Sequence, residues 1–314
     1  MSTQYNLIVI LGPTASGKTA VAANLAHRIG SEVISADSRQ VYRQLNLGTG
    51  KDYDDYTING ETVPFHLIDI AEPGSQYNVF EYQQDFVKAF EDISHRGKLP
   101  VLCGGTGMYI EAVIQGYKLI QVPINQPLRD KLTDKSLDEL ATILSSYKNV
   151  HNISDTDTPK RAIRAIEIAE YHQSNPEIDM YYPAITPLLV GVRYDRATER
   201  RRITERLEQR LNQGMIAEVQ ALLNSGVTPD QLIYYGLEYK FLTQFVIGEL
   251  TYNEMFAQLN TAIHQFAKRQ MTWFRRMERQ GMNIHWLDGF CPMDEKIEKI
   301  MTWGELRINK KEVL

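Results

Sequence analysis

The chain has 314 residues, of which 43% are hydrophobic and 23% charged, and its formal net charge is −5. This length can bury a large core, and the composition is typical of a globular protein with two domains, or with one domain and a sizeable appendage. The negative charge weakly opposes a nucleic-acid partner, since Lys and Arg contacts to phosphate dominate such binding. However, residues 261–281 carry five basic side chains against one acid, so we expect any polyanion to bind the C-terminal half.

The cysteines and the N-terminal sequence indicate in which cellular compartment the protein is expected. Cys103 and Cys291 are far apart and form no C-x-x-C pair, so neither a disulfide framework nor a zinc site is indicated. The first residues run directly into “YNLIVILG” without a basic leader, and no apolar run approaches the roughly 18 residues that a membrane span needs. We therefore expect a cytoplasmic protein that does not interact with membranes.

The first predicted element is a buried strand at 5–11, and a helix is predicted from about Lys18. Between them lies a full match to G-x-x-x-x-G-K-[ST]. The match comprises Gly12, Pro13, Thr14, Ala15, Ser16, Gly17, Lys18 and Thr19. A glycine-rich turn between strand and helix directs backbone N–H groups inward and can bind a diphosphate. Lys18 would contact the terminal phosphates, and Thr19 would ligate Mg²⁺.

Further strands are predicted at 32–36, 65–70, 99–103 and 187–194, with a helix at 78–95. Strands that alternate with helices imply a parallel sheet covered on both faces. The predicted fold class is therefore α/β, with a P-loop NTPase-like parallel-sheet core, a helical insertion domain and a mainly helical C-terminal part.

The predicted domain boundaries follow from a change in residue composition and pattern along the chain. Scattered prolines and helix-capping signals predict a helical insertion at 108–185. The core, with its helical C-terminal part, is assigned to 1–107 and 186–314. Nearly everything beyond Asp195 is predicted to be helical.

Asp37 follows the second strand in “VISADSRQVYRQLNLGTGK”, at the edge where open α/β sheets bind ligands. A carboxylate at this position could be a metal ligand, a helix N-cap or a general base. A nucleotide hydrolase also needs an aspartate after an apolar strand to order its metal. Neither Asp37 nor Asp69 follows a run of four apolar residues, so the hydrolase interpretation is incomplete.

Five motifs in chain order resemble those of the tRNA dimethylallyltransferases, which prenylate the adenosine 3′-adjacent to the anticodon. They are “GPTASGKT”, “ISADSRQVYRQLNLGTGK”, “FHLIDI”, “LCGGTGMYI” and “FAKRQMTWFRR”. The resemblance implies that the glycine-rich loop binds the diphosphate of dimethylallyl diphosphate rather than a nucleotide. The N6 amine of adenine would attack the allylic carbon, and pyrophosphate would leave.

The resemblance also implies the catalytic residues. Asp37 matches the general base that takes the amine proton. Lys18 and Thr19, with Mg²⁺ as cofactor, would stabilise the charge that develops on pyrophosphate. The stretch “RRRITERLEQR” resembles one that brings an arginine towards the diphosphate, and Arg206 is the candidate. A helix surface with i, i+4 salt bridges is the alternative interpretation of that stretch.

The expected partner, tRNA, requires a larger set of contacts, because the target base must be flipped out of its stack. The tRNA-binding residues implied by the resemblance are Asp37, Ser38, Arg39, Gln40, Thr106, Lys160, Arg161, Arg164, Lys268, Arg269 and Arg275. The basic residues at 160–164 could instead be a solvated surface, and the glycines around Thr106 could simply permit a tight turn. We expect Trp273 to pack inside, because buried aromatics are common in amphipathic helices.

Two segments depart from the family pattern. The segment 233–242, “IYYGLEYKFL”, keeps Gly236 where the family reads close to A-I-G-Y-[RK]-E, and 149–160 lacks the usual H-P-N-D form. Both bear on the choice of tRNA rather than on the chemistry. The alternative functions are a P-loop small-molecule kinase and a tRNA-binding paralogue with weak catalysis.

The remaining expectations concern assembly and extent. We expect a monomer that binds the anticodon stem-loop of tRNA. Because the chain ends soon after “NIHWLD”, we expect a bacterial-type minimal enzyme without the C-terminal zinc finger of eukaryotic relatives.

Overall fold

The computed structural model describes residues 4–147, 157–175 and 181–306. The chain divides into two compact units, one formed by Met1–Tyr117 with Pro183–Leu314 and the other by Lys118–Tyr182. Within the described ranges, no helix combines the length and the apolar character needed to cross a membrane.

The first unit is built on a parallel sheet. In chain order the strands are β1 (Leu7–Leu11), β2 (Val33–Ala36), β3 (Thr57–Ile58), β4 (Glu61–Thr62), β5 (Phe65–His66), β6 (Val101–Gly104), β7 (Pro187–Arg193) and β8 (Ile284–Asp288). Six of them form one sheet in the order β5-β2-β6-β1-β7-β8, and β3 pairs with β4 in a separate hairpin. The central strand β1 pairs in parallel with β6 and β7, and all its residues are buried. The predicted α/β fold class is confirmed.

Helices cover the sheet and extend from it. In chain order they are α1 (Lys18–Ile29), α2 (Val79–His95), α3 (Gly107–Ile114), α4 (Gln126–Leu132), α5 (Leu137–Tyr147), α6 (Pro159–Ser174), α7 (Arg196–Asn212), α8 (Met215–Asn224), α9 (Pro229–Tyr234), α10 (Leu237–Val246), α11 (Tyr252–Arg279) and α12 (Met293–Trp303). Apolar side chains of α7 to α11 pack into one cluster with Val41, Tyr42 and Leu45. That cluster holds the C-terminal helices against the loop that follows β2.

In this unit one strand was not predicted from the sequence, and one predicted strand is shorter than expected. The region beyond Asp195 contains a strand, Ile284–Asp288, which pairs in parallel with β7. Five residues between two helices carry little periodic signal, so the neighbouring strand decides their conformation. The strand predicted at 65–70 ends at His66, because Leu67 and Asp69 have positive φ angles of 62° and 57° and turn the chain away.

The second unit contains α4, α5 and α6, which enclose a small core around Leu140, Leu144 and Ile166. It begins at Lys118, later than the insertion boundary expected from the sequence. The reason is that α3 belongs to the first unit, where Tyr109 stacks on Tyr82 of α2 with ring centroids 4.0 Å apart.

Candidate active site

The G-x-x-x-x-G-K-[ST] match forms the turn between β1 and α1. Ala15 and Gly17 have positive φ angles of 61° and 78°, and a Cβ at Gly12 would lie 2.7 Å from the carbonyl oxygen of Val192. The first turn of α1 has no acidic residue and no side-chain cap, so its N–H groups are open to an anion. Within the described residues, the buried Ser16 hydroxyl has no hydrogen-bond partner, which a phosphate oxygen would supply.

Helix α7 presents an arginine to this loop at every fourth position. Arg202, Arg206 and Arg210 line one cleft with the loop, and Nε of Arg202 donates to the carbonyl oxygen of Ala15 at 2.9 Å. The structure thus places Arg206 beside the loop. Sequence analysis noted that Arg210 lies one helical turn from Arg206 but proposed only Arg206 as a diphosphate contact. The common spacing of four was a signal that all three arginines share a helix face.

Asp52 neutralises part of this positive charge. Its carboxylate pairs with Arg206 and with Arg210, where Nη2 and Oδ1 are 3.1 Å apart. Burial raises the pKa of Asp52, but Arg206 and Arg210 together lower it by a larger amount, so the net shift is downward. Within the described chain, Lys18 and Arg202 have no carboxylate partner, so the cleft of about 660 Å³ retains cations for an anionic ligand.

Lys18 opens α1 and lines this cleft. Burial lowers the pKa of its ammonium group, and Arg206 lowers it further, whereas Cys103 and Asp37 oppose the shift. A bound anion next to Lys18 would favour the charged form. The site therefore places Lys18 where a bound anion would stabilise its positive charge.

A second cavity, of about 340 Å³, shares Lys18, Thr19 and Arg206 with the cleft. Its lining includes further residues singled out from the sequence, namely Thr14, Asp37, Ser38, Arg39, Gln40, Thr106 and Arg269. They come from the loops after β1, β2 and β6 and from α11. The structure therefore brings the candidate base next to the candidate diphosphate site.

Asp37 lies directly after β2, as the sequence predicted. Its Oδ1 accepts a hydrogen bond from the backbone N–H of Arg39 at 2.9 Å. A turn follows rather than a helix, so the N-cap interpretation is wrong. The N–H of Ser38 donates to Oγ1 of Thr106 at 3.1 Å, which fixes this turn to the loop after β6.

Gln270 joins α11 to two loops of the cavity, and sequence analysis missed it. Its Oε1 accepts from the Thr14 N–H at 2.8 Å, and its Nε2 donates to the Gly105 carbonyl oxygen at 2.9 Å. The side chain is 7% exposed. A buried amide that satisfies two backbone groups holds both loops in place. The only sequence signal was a polar residue on the buried face of α11.

We expect Gln270→Leu to destabilise the first unit. The change leaves the Thr14 N–H and the Gly105 carbonyl without partners, which costs roughly 1–3 kcal/mol for each buried group. Urea unfolding followed by tryptophan fluorescence measures the loss. Gln220→Leu, on the exposed face of α8, is the control, and equal unfolding midpoints for the two variants would contradict the bridging role.

The other residues of interest on α11 divide between solvent and core. Lys268, Arg269 and Arg275 are exposed, as an RNA-contacting surface requires. Trp273 packs against the core, and the Arg276 guanidinium lies 4.2 Å from the centroid of its ring. The expectation that Trp273 packs inside agrees with this arrangement.

The basic residues of α6 lie in the second unit. Lys160 is exposed, and Arg161 pairs with Asp157 at 2.7 Å. Arg164 pairs with Glu167 and donates to the Val122 carbonyl oxygen at 2.9 Å, so its guanidinium is held within the unit. Residues 149–156 of the atypical segment lie outside the described residues. The tRNA-binding role of the α6 side chains stays a prediction.

Glu167 is the buried centre of this unit, and we expect Glu167→Ala to destabilise it. Its carboxylate accepts from Arg129 Nη2 at 2.8 Å, from the Asn125 N–H at 2.6 Å and from Arg164. Burial raises its pKa, but these hydrogen bonds outweigh burial and bring the pKa to about 2. Removing one partner of a buried ion pair costs about 3–5 kcal/mol.

Hydrogen exchange of residues 118–147 and 157–175 measures this loss, with Glu170→Ala on the same helix as the control. Because the folded pKa is depressed, the stabilisation is complete above pH 4.5 and is lost as the pH falls through about 2. Unchanged exchange in Glu167→Ala would show that the ion pairs contribute no net stability.

The sequence is similar to known proteins over nearly its whole length. A family model described as “IPP transferase” matches residues 40–277, and one described as “Isopentenyl transferase” matches residues 5–61. A protein of Bacteroides fragilis named “tRNA dimethylallyltransferase 2” is 62% identical over 293 residues, which are 93% of this chain and 96% of that protein. A protein of Parabacteroides distasonis named “tRNA dimethylallyltransferase 1” is 59% identical over 298 residues, covering 95% and 97%.

Solved structures are similar as well. The tRNA isopentenylpyrophosphate transferase of Bacillus halodurans matches with a TM-score of 0.69 at 30% identity and covers 95% of both chains. A eukaryotic dimethylallyltransferase described as acting on tRNA matches with a TM-score of 0.76 at 20% identity, over 97% of this chain and 81% of that one. The second likeness shows the fold alone.

Proposed function

This chain belongs to the IPP transferase family, and we propose that it transfers a dimethylallyl group from dimethylallyl diphosphate to the N6 amine of the adenosine 3′-adjacent to the anticodon in tRNA. The observation that carries the proposal is the pair of cavities that share Lys18, Thr19 and Arg206. One cavity has the cations and open N–H groups for a diphosphate, and the other has Asp37 for the adenine. The two substrates would react beside Lys18, Thr19 and Arg206, the residues that line both cavities.

In the proposed reaction, the adenine N6 nitrogen forms a bond to the allylic carbon. The bond between that carbon and the diphosphate oxygen breaks, and pyrophosphate leaves with the electron pair. The amine proton passes to the carboxylate of Asp37, which acts as general base. Lys18 and Arg206 stabilise the negative charge that grows on the leaving oxygens.

The residues around Thr19 fit a bound Mg²⁺. Thr19 lines both cavities, and Asp52 and Asp55 line the cleft with it. Mg²⁺ is usually held by one or two carboxylates together with substrate phosphates and waters. The described residues contain no cluster of three or more His, Cys, Asp or Glu side chains that could hold a metal ion. When bound, Mg²⁺ would neutralise charge on the diphosphate, with the Thr19 hydroxyl as its protein ligand.

The tRNA would bind over the cavity through its anticodon stem-loop. Lys268, Arg269 and Arg275 are exposed on α11 and suit contacts to the phosphate backbone. Ser38, Gln40 and Thr106 line the cavity that would accept the flipped adenine. The proposal also assigns tRNA contacts to Lys160, Arg161 and Arg164. It further includes that the protein is monomeric and cytoplasmic.

The test is incubation of the protein with Mg²⁺, radiolabelled dimethylallyl diphosphate and unmodified tRNA that has adenosine beside the anticodon. We expect label in the RNA, and none when that adenosine is replaced by guanosine. Absence of label together with ATP-dependent phosphorylation of a small molecule would instead identify a kinase. Tight tRNA binding without transfer would identify a paralogue with weak catalysis.

A further inference from the structure

Two exposed aromatic rings stand beside the 340 Å³ cavity, each next to an arginine. Tyr234 is 44% exposed, and the Arg39 guanidinium lies 5.5 Å from its ring centroid. Phe266 is 39% exposed, and the Arg269 guanidinium lies 5.9 Å from its ring centroid. Arg39, Phe266 and Arg269 line the cavity together with Asp37. Neither ring has a role in the reaction described above.

Tyr234 is held in place by its neighbour. The Tyr235 ring is buried and lies 4.4 Å from the ring of Tyr42, and its hydroxyl donates to the Ser75 carbonyl oxygen at 3.0 Å. The Tyr234 ring meets the Tyr235 ring edge-on at 5.6 Å. A ring supported in this way loses little conformational freedom when a ligand stacks on it.

The two arginines are free to contact an anion. Within the described ranges, neither Arg39 nor Arg269 has a carboxylate within 4.0 Å, and each guanidinium lies against a ring instead. An arginine beside an aromatic ring offers a planar cation and a π-face at the same place. Single-stranded nucleic acid presents the complementary groups, an anionic phosphate and a flat base.

We propose that the Tyr234–Arg39 and Phe266–Arg269 pairs form a clamp that stacks on the two nucleotides flanking the target adenosine. The clamp rests on the proposed function, because it requires one base to be inserted into the cavity. The backbone cannot follow that base inside, so the adjacent nucleotides lie at the rim. They have lost their stacking partner, and the rings replace it while the arginines contact their phosphates.

Tyr234 lies two residues before Gly236, which lines the cavity and has a φ angle of 125°. An aromatic ring can stack on any of the bases. The clamp would therefore increase affinity for anticodon loops whatever the identity of the flanking bases.

The test measures RNA binding directly. A fluorescently labelled anticodon stem-loop hairpin is titrated with the protein and with Tyr234→Ala or Phe266→Ala. We expect each alanine variant to bind about 10-fold more weakly, the loss typical of one stacked base. Tyr234→Phe and Phe266→Tyr should bind as tightly as the parent, because they keep the ring. Tyr252→Ala, a 47% exposed tyrosine at the start of α11, is the control.

A second measurement locates the contact. The fluorescent base 2-aminopurine replaces the nucleotide on one side or the other of the target adenosine, and binding should quench it less in the matching alanine variant than in the parent. Alanine variants that bind and quench like the parent would overturn the clamp. So would ring-conserving variants that lose as much affinity as alanine. Failure of the proposed function would instead appear as absence of prenyl transfer by the parent protein.

Discussion

Replacing Asp37 with asparagine is expected to lower kcat for dimethylallyl transfer by about 10²- to 10⁴-fold, the range typical of removing a general base. The amide keeps the shape of the carboxylate and can still accept from the Arg39 N–H, as Oδ1 does at 2.9 Å. It cannot take the amine proton. Because Asp37 follows a buried strand and begins a turn, the variant should fold as the parent does.

The measurement for Asp37→Asn is single-turnover transfer of radiolabel to tRNA, with tRNA affinity measured separately. We expect the affinity to remain within a few-fold of the parent while the rate falls, since the loss belongs to the chemical step. Asp230→Asn, at an exposed position in the first turn of α9, is the matched control. A full rate in Asp37→Asn would remove the carboxylate from the mechanism.

Replacing Lys18 with methionine is expected to weaken binding of dimethylallyl diphosphate and to lower kcat by roughly 10²- to 10³-fold, as for loss of one preorganised charge at a leaving group. Methionine preserves most of the apolar stem, so the loss reports the ammonium group. Arg206 remains in the cleft but is paired with Asp52, and therefore compensates only in part.

The two effects of Lys18→Met are separated by calorimetric binding of dimethylallyl diphosphate and by transfer at saturating diphosphate. The control is Lys88→Met, which makes the same substitution on the exposed face of α2, away from the site. It should leave both the diphosphate affinity and the transfer rate unchanged. If Lys18→Met bound the diphosphate as tightly as the parent, the assignment of the glycine-rich loop to this ligand would be wrong.

Much of the fold could be predicted from local sequence. The strand, turn and helix around Gly12–Thr19 were predictable because a buried apolar run, a glycine-rich turn and an amphipathic run follow one another directly. The parallel sheet followed from the alternation of such segments. β8 was missed because its five residues become a strand through pairing with β7, which lies more than ninety residues earlier in the chain.

Residues of the candidate site were predictable where a short motif sets the backbone conformation that positions them. The loop residues and Asp37 lie within short segments whose backbone conformation places them. Thr14, Lys18, Thr19 and Asp37 line the 340 Å³ cavity. Gln270 was not predictable, because its function depends on contacts with Thr14 and Gly105, each more than 160 residues away. No local pattern encodes a hydrogen bond over that separation.

By itself, the sequence determined the phosphate-binding turn, the parallel sheet and the resemblance to a family, since each depends on residues close together in the chain. Tertiary structure decided which charged groups are available. It pairs Arg206 and Arg210 with Asp52 and Arg164 with Glu167, whereas Arg39 and Arg269 lie against aromatic rings. The physical reason is that a charge is free or neutralised according to what packs beside it, and packing joins residues that are distant in sequence.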